Sequence, residues 1–370
     1  MTGVAQRAAD LAPIRAQFRP AEGITYLDTA TYGLPPQATV DALQRATLAW
    51  QAGTADWQSD WDAPTDQAPR DFAGLIGAPP DTIATMPAAS VGTGLVAGML
   101  GAGDEVVVPG DEFTSTLFPL LVAGERGAIV REVPFEALAS SITDATRLVA
   151  ASLVQMQSGR VADIGAIVEA AERHGSQILL DATQGVPFVP LEGVIDRIDY
   201  LVCSGYKHLL SPRGTAYLYV RRDRWHELEP RNANWRSADQ PYARYFGGPL
   251  TLAADARRFD VSRGWFAWLG ATASLERLTA WKEAGAFEAV RGLAKSLADR
   301  LGVPWYGGSL VCAPLADGES ARRALEAAGV RASVRGTAIR FAVHVYNTPS
   351  DLDRAAEAVG PFMDEGRTRP

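Results

Sequence analysis

The chain of 370 residues has little cysteine, only Cys203 and Cys312. Two thiols cannot staple a chain of this length, and they form no Cys-x-x-Cys pair. Neither a disulfide framework nor a metal site is expected, and a reducing, cytoplasmic setting is. Positive charge is also in deficit, with 35 Lys+Arg against 43 Asp+Glu and a net charge of -8. Such a surface repels phosphate backbones, which argues against nucleic acid as a partner. No internal repeat stands out, no Gly-x-Gly-x-x-Gly follows a strand and there is no P-loop, so an ordinary nucleotide-binding protein is disfavoured. The opening residues 1–18 mix charges into a helical pattern and lack the apolar core of a signal peptide. One uncharged stretch, 83–103, approaches the length of a membrane span. It contains Pro87, Ser90 and five glycines with few long aliphatic side chains, so a buried turn and helix is expected there instead.

What is present is ordinary globular composition, 47% hydrophobic and 21% charged. The length favours two domains, or one large domain with an appendage. Short β-branched runs at 106–109, 128–133, 146–154, 177–182, 200–205 and 216–222 alternate with amphipathic stretches. The runs are apolar throughout, as strands buried on both faces are. Between them lie helical patterns such as DIGAIVEAAERHG at 163–175, closing on Gly175 as a C-cap. This alternation predicts an α/β fold with a mostly parallel, doubly wound sheet, and ligands at the carboxyl ends of its strands. After residue 222 the texture changes. Residues 223–250 are rich in Arg, Trp, Tyr, Asn and Gly and read as irregular. A helical region follows at 265–301, then short strands near 308–312 and 339–345, then a final helix at about 349–363.

Two strand ends draw attention together. In QILLDATQ at 177–184, Asp181 follows four largely apolar positions, and a buried carboxylate needs a cation or donors. Taken alone it favours a helix N-cap after the strand. In LVCSGYKH at 201–208, Lys207 follows a buried strand, where desolvation lowers a lysine's pKa and makes it a nucleophile. The spacing of Asp181 and Lys207 allows one crossover between neighbouring parallel strands.

DATQ followed by SGYKH resembles the D-[AG]-x-[QH]…S-x-[HY]-K pattern of fold-type I pyridoxal-phosphate enzymes, in the class V aminotransferase branch. That branch includes cysteine desulfurases, kynureninases and isopenicillin N epimerase-like enzymes. The likeness covers nearly the whole chain from residue 26. It implies a large cofactor-binding domain at 31–250, a smaller α+β C-terminal domain at 251–370, and an N-terminal segment, 1–30, packing on the latter. It further implies that Lys207 forms the Schiff base with pyridoxal 5'-phosphate and shuttles the proton. Asp181 would pair with the pyridinium nitrogen, Gln184 would donate to the phenolic oxygen, and Ala182 would lie against the ring. Ser204 and Tyr206 would bind phosphate, together with Ala89 and Ser90 at the start of a helical stretch. Ala89-Ser90 stands where the family commonly has Gly-Thr-Thr, so one hydroxyl remains. Phe113 falls in the segment whose side chain stacks on the cofactor, although from spacing alone core packing is the simpler reading. Arg263, in RFDVSRGWFAW at 258–268, would bind phosphate across a homodimer interface, or else pair with the acidic surface. Thr31 and Tyr32 would line the substrate pocket. Gln155 or Gln157 would approach the phenolic oxygen, and the choice between them stays open. IRFAVHVYNT at 339–348 resembles the family's R-x-S-x-x-x-Y-N-T segment, whose arginine, here Arg340, takes the substrate α-carboxylate in a two-point fork. His344, further along that strand, reads as packed.

Desulfurases of this family carry a mobile-loop cysteine shortly before that arginine. Residues 329–336, GVRASVRG, contain none, Cys312 lies well upstream and Cys203 sits inside a strand. A persulfide mechanism is therefore not expected. The resemblance implies instead a lyase or transferase acting on an amino acid or cysteine S-conjugate through an external aldimine. C–S elimination in specialised metabolism, of the kind seen in lincosamide-tailoring enzymes, leads. Decarboxylating oxidative deamination and transamination are the enzymatic alternatives, and a non-catalytic binding protein of the same fold is the alternative from another class. The aromatic residues Trp57, Trp61, Trp235, Tyr242, Tyr245 and Phe246 form either a pocket for a bulky substrate or interface and core.

Overall fold

In the computed structural model, which describes residues 9–364 and 366, the apolar runs assemble into one sheet. The strands among these residues are β1 (Thr25–Tyr26), β2 (Ile83–Met86), β3 (Glu105–Pro109), β4 (Ile129–Val133), β5 (Thr146–Ser152) and β6 (Gln177–Asp181). They continue with β7 (Tyr200–Ser204), β8 (Ala216–Val220), β9 (Leu310–Pro314), β10 (Val330–Arg331), β11 (Ser333–Arg335) and β12 (Ala338–Ala342). The large sheet has the order β2-β8-β7-β6-β5-β3-β4. It is parallel from β7 to β4, while β8 runs antiparallel to both its neighbours. Successive side chains of a strand point to opposite faces. In β6, Ile178 and Leu180 enter one apolar cluster and Leu179 the other; in β7, Leu201 and Cys203 enter the first and Val202 the second. Both faces are dry, so the strands show no polar alternation. Helices Ala89–Ala97 and Thr114–Gly124 cover one face, and Gln67–Ile76, Ile164–His174 and Trp265–Glu283 the other.

The mostly parallel α/β sheet is the one predicted, with each expected run within two residues of its strand. The helix at Ile164–His174 does end on Gly175, whose φ of 70° is left-handed. The uncharged stretch is more than a turn and helix: β2 precedes helix Ala89–Ala97. Among the described residues no helix is long and apolar enough to cross a membrane. The helical region at 265–301 divides at Gly285 (φ 73°) into Trp265–Glu283 and Ala286–Leu301. Of the helical pattern at the start of the chain, Ala12–Arg15 forms a single turn, and residues 1–8 lie outside the described residues.

A smaller antiparallel sheet, β11-β12-β9, stands beside the large one. Residues 25–28 are tied to it at Asp28, which bridges to Ala342 at the end of β12, while β1 pairs in parallel with β10, the short strand just before β11. A few residues on, the same segment meets the loop after β7, where the Gly33 N–H donates to the Tyr206 carbonyl at 2.9 Å. The contact is close enough that a Cβ on Gly33 would lie 2.3 Å from the Lys207 carbonyl oxygen. Segment 25–33 is thus a strap between the smaller sheet and the Lys207 loop.

That closeness is testable. Gly33→Ala forces backbone against backbone and should cost about 1–3 kcal/mol, read as a lowered thermal midpoint. Gly292, inside helix Ala286–Leu301 with open space around its Cα, is the control, and Gly292→Ala should gain up to ~1 kcal/mol. A Gly33→Ala midpoint equal to wild type would mean the strap is not packed this way.

Candidate active site

The carboxyl ends of β3, β5, β6 and β7 open on one edge of the sheet. The end of β2 joins them, because two antiparallel steps through β8 return it to the direction of β7. Asp181, the last residue of β6, stands opposite Ser152 of β5 and Val202 of β7. It is 4% exposed. Its Oδ1 accepts from the Thr183 N–H at 2.9 Å and its Oδ2 from the Thr116 hydroxyl at 3.2 Å. No helix begins here, so the carboxylate caps a tight turn rather than a helix, and each oxygen has accepted one hydrogen bond, with lone-pair capacity left for a further donor.

Lys207 is 5% exposed. Its Nζ lies 5.1 Å from the centroid of the Phe113 ring and 5.6 Å from that of Tyr206. Burial pushes its pKa down to about 8; Asp181 opposes the shift, and Arg340 and Arg335 add to it. A far larger fraction of the amine is therefore neutral near physiological pH than for an ordinary lysine, as a nucleophile or base requires. Three residues on, Leu210 has a left-handed φ of 53°, a conformation costing roughly 1–2 kcal/mol for a residue with a Cβ. It is held by its N–H donating to the Lys207 carbonyl (3.0 Å) and its own carbonyl accepting from Ser274 Oγ (2.9 Å).

Phe113 belongs to neither apolar cluster, so the core-packing reading of it does not hold. It is half-buried, immediately precedes helix Thr114–Gly124, and turns its ring to Lys207. Its backbone is fixed by Glu112, which sequence reasoning left without a role. Glu112 accepts from the Phe113 N–H (2.7 Å), the Ser152 N–H (2.6 Å) and the Ser152 hydroxyl (2.5 Å). Burial raises the Glu112 pKa, against these hydrogen bonds and with help from nearby Asp181.

Gln184 donates to the Ala30 carbonyl at 3.2 Å and accepts at Oε1 from His208 Nε2 at 3.0 Å. His208 is fully buried and held well below the usual imidazole pKa by desolvation, so it is neutral. It fixes which end of the Gln184 amide is the donor. His344 is packed, as expected, with its ring parallel to that of His208, its Nε2 donating to the His208 carbonyl, and its pKa pushed down to about 4 by burial. Ala182 is fully buried between the ends of β6 and β7, and Ser204 closes β7.

Ala89 and Ser90 open helix Ala89–Ala97, and the preceding Ala88 offers no side chain to cap it. A Cβ on Gly92 would come within 2.8 Å of Val202 Cγ1, so this helix rests directly on β7 with its bare N-terminus at the same edge. Unpaired amides at a helix start suit a phosphate.

Across from Lys207 stands Arg340, 3% exposed. Its Nη2 donates to Thr31 Oγ1 at 3.1 Å and lies 3.6 Å from Asp28 Oδ1. Its Nε and Nη1 are buried without an acceptor. Unpaired buried donors cost about 1–3 kcal/mol each, so this guanidinium is shaped for a ligand anion. Burial raises the Asp28 pKa, against the Thr31 hydrogen bond and the Arg340 charge. Tyr32 is half exposed, 5.3 Å from the Tyr26 ring.

Some expected residues are engaged elsewhere. The Gln155 Oε1 accepts from the Gln157 N–H and from the N–H and hydroxyl of Ser158, while its Nε2 donates to Asp111. It shapes its own loop, and Gln157 is exposed. Arg263 is buried among Asp66 (2.7 Å), Asp260 (3.4 Å), Thr65 and Thr85. Arg236 shares that network with Asp62 and Asp66. In this chain Arg263 is held by partly exposed Asp66 and buried Asp260 rather than standing free. Most of the aromatic residues are likewise spent on one another: Trp57 stacks on Trp265 at 5.4 Å with Trp235, Tyr242 and Tyr245 around it, and Trp61 packs on Trp265 and Phe266, while Phe246 is exposed.

A desolvated lysine, a turn-capping carboxylate able to accept a further donor, an aromatic ring and a bare helix N-terminus thus share one strand-end edge. That set fits the aldehyde, ring nitrogen, ring face and phosphate of the cofactor implied by the resemblance.

The family model of class V aminotransferases matches residues 25–303. A probable cysteine desulfurase of Aeropyrum pernix is 32% identical over 237 residues, 59% of this chain and 57% of that protein, so the chain spans little more than half that relative's length. An uncharacterized aminotransferase of Bacillus subtilis is 30% identical over 319 residues, 80% of this chain and 83% of that one. Among solved structures, the cystine C–S lyase C-DES in complex with its product cysteine persulfide has a TM-score of 0.82 at 20% identity, over 93% of this chain and 99% of that one. At that identity the likeness speaks for the fold.

A protonated amine does not attack an aldehyde. Uptake of pyridoxal phosphate by cofactor-free protein should therefore accelerate with pH, half-maximally near pH 8 rather than at the 10.5 of an ordinary lysine. Lys207→Ala should give no borohydride-stable adduct. A midpoint above pH 10 would show that Lys207 is not desolvated.

Proposed function

The chain belongs to the class V aminotransferase family of pyridoxal-phosphate enzymes, and on that premise we propose that it breaks the C–S bond of a cysteine S-conjugate or related amino acid. The observation that carries this reading is the pairing of a desolvated Lys207 with the acceptor-less donors of Arg340, where no reactive thiol stands by. Residues 329–336 contain no cysteine. Cys312 is nearer than its place in the sequence suggests, since it pairs with Arg340 across β9 and β12. Burial pushes its thiol up to about 12, against the pull of Arg340 and Arg335. A protonated thiol is a poor sulfur acceptor. The sulfur therefore leaves as a free thiol.

Pyridoxal phosphate, when bound, supplies an electron sink for the pair left at the α-carbon. Lys207, Asp181, Phe113, Ser204, Tyr206, Ala182 and the start of helix Ala89–Ala97 are the groups that would hold it, with Gln184 oriented by His208. Arg340 takes the substrate α-carboxylate, and Thr31 and Asp28 keep its fork in place. Clamping one bond direction selects which bond to the α-carbon stands ready to break. Lys207 Nζ, in its deprotonated form, takes the α-proton. The thiolate departs from the β-carbon and is protonated, and water completes the balance: S-conjugate plus water gives thiol, pyruvate and ammonium. The cystine C–S lyase C-DES, which shares the fold along nearly its whole length, supports this reading. Transamination is the second reading, supported by the aminotransferase of B. subtilis, which matches most of this chain. A cytoplasmic homodimer with its site at the interface, serving specialised metabolism, belongs to the same proposal; a single-subunit mass by light scattering would remove the dimer from it.

With holoenzyme and cysteine S-conjugates, thiol, pyruvate and ammonia should appear in equal amounts. Conversion of the cofactor to its pyridoxamine form without pyruvate would replace elimination by transamination. Arg340→Lys should lower kcat/KM by roughly 10- to 100-fold, because an ammonium cannot reproduce the two-point fork. A protein that stays colourless with added cofactor would sink the assignment.

A further inference from the structure

We propose that Arg335 forms a second anion subsite beside Arg340, so that the preferred substrate carries a carboxylate at the end of its side chain as well as on its α-carbon. The inference rests on the functional reading above and deepens it. In the antiparallel pair of β11 and β12, Ser333 stands opposite Arg340 and Arg335 opposite Ala338. Directly paired residues, and residues two apart on one strand, share a face. Arg335, Ser333, Arg340 and Cys312, the partner of Arg340 on β9, therefore line one face of the smaller sheet.

The Arg335 guanidinium lies along that face. Its Nε donates to Ser333 Oγ at 3.2 Å, and its Nη1 is 3.7 Å from Met156 Sδ, in the loop that follows β5. It thus spans from the smaller sheet to the strand-end edge that carries Lys207. Its charge is felt by Lys207, Arg340, Asp28 and Cys312. A hydroxyl and a thioether are weak acceptors, and no carboxylate pairs with Arg335 among the described residues. Arg335 is exposed, so its remaining N–H groups are open to a ligand, whereas Arg131, Arg147, Arg221, Arg224 and Arg236 are each paired with a carboxylate. Asp28 is committed to Thr31 and Arg340.

One α-carboxylate satisfies the open donors of Arg340 and leaves those of Arg335 free. A cleft of about 900 Å³, lined in part by Gln157, Cys312, Thr337 and Ala338, opens beside this face and has room for a side chain longer than cysteine's. Asp111 and Glu132 also line it, and the arginine in its lining, Arg160, is already paired with Glu136. A planar fork with free N–H groups matches a carboxylate in particular.

The test compares two nearly isosteric ligands, S-carboxymethyl-L-cysteine and S-propyl-L-cysteine, by the change each causes in the visible absorption of the holoenzyme. The charged ligand should bind about tenfold more tightly, and the advantage should shrink as salt is added. In Arg335→Gln the ratio of the two dissociation constants should fall to near one, and Arg335→Lys should restore part of it. A ratio near one in the wild type, or one that Arg335→Gln leaves unchanged, overturns the subsite alone. A holoenzyme whose spectrum no amino acid perturbs overturns the functional reading, and the subsite with it.

Discussion

The site depends on the cost of burying an amine. Lys207 sits where water cannot solvate its charge, and the answer to that constraint is a pKa near 8 rather than a full ion pair. Asp181 is close enough to oppose the shift but is engaged by Thr183 and Thr116, so it tempers the lysine without neutralising it. The Phe113 ring keeps the amine dry, and Glu112 keeps Phe113 in place. The chemistry thus comes from packing: a buried base is obtained by removing water, and the surrounding carboxylates are held by hydrogen bonds that stop them from cancelling the effect.

The fold puts these groups together by topology rather than by sequence proximity. Parallel strands end at a common edge, so the residues just after β3, β5, β6 and β7 become neighbours whatever their separation in the chain. The antiparallel β8 adds one more such end by returning β2, and with it helix Ala89–Ala97, to the same side. The smaller sheet brings Arg340 from the far end of the chain. Strap 25–33 joins it to the edge.

Much of this was legible in the sequence, for a physical reason. A charged residue directly after an apolar run marks a strand end, and Asp181 and Lys207 both stand there. Arg340 was legible from the motif around it. The partners were not. Thr116 is 65 residues from Asp181, Ser152 is 40 from Glu112, and Cys312 meets Arg340 only through strand pairing. Arg263 shows the same limit from the other side. Its local sequence suggests an available cation, and only the fold reveals that Asp66 and Asp260 already hold it. Trp235, Tyr242 and Tyr245 also look free in the sequence, and only the fold brings Trp57 among them.

The strap carries a consequence for how the protein distinguishes amino acids from simple amines. Asp28 and Thr31 hold the carboxylate-seeking arginine, and two residues later Gly33 is wedged against the backbone of the lysine. On the proposed reading, a ligand held by Arg340 would brace the same short piece of backbone that positions Lys207. Recognition and reactivity would then share one lever. An amine without a carboxyl group forfeits more than a foothold: it leaves the base unbraced, so the penalty falls on turnover as well as on occupancy.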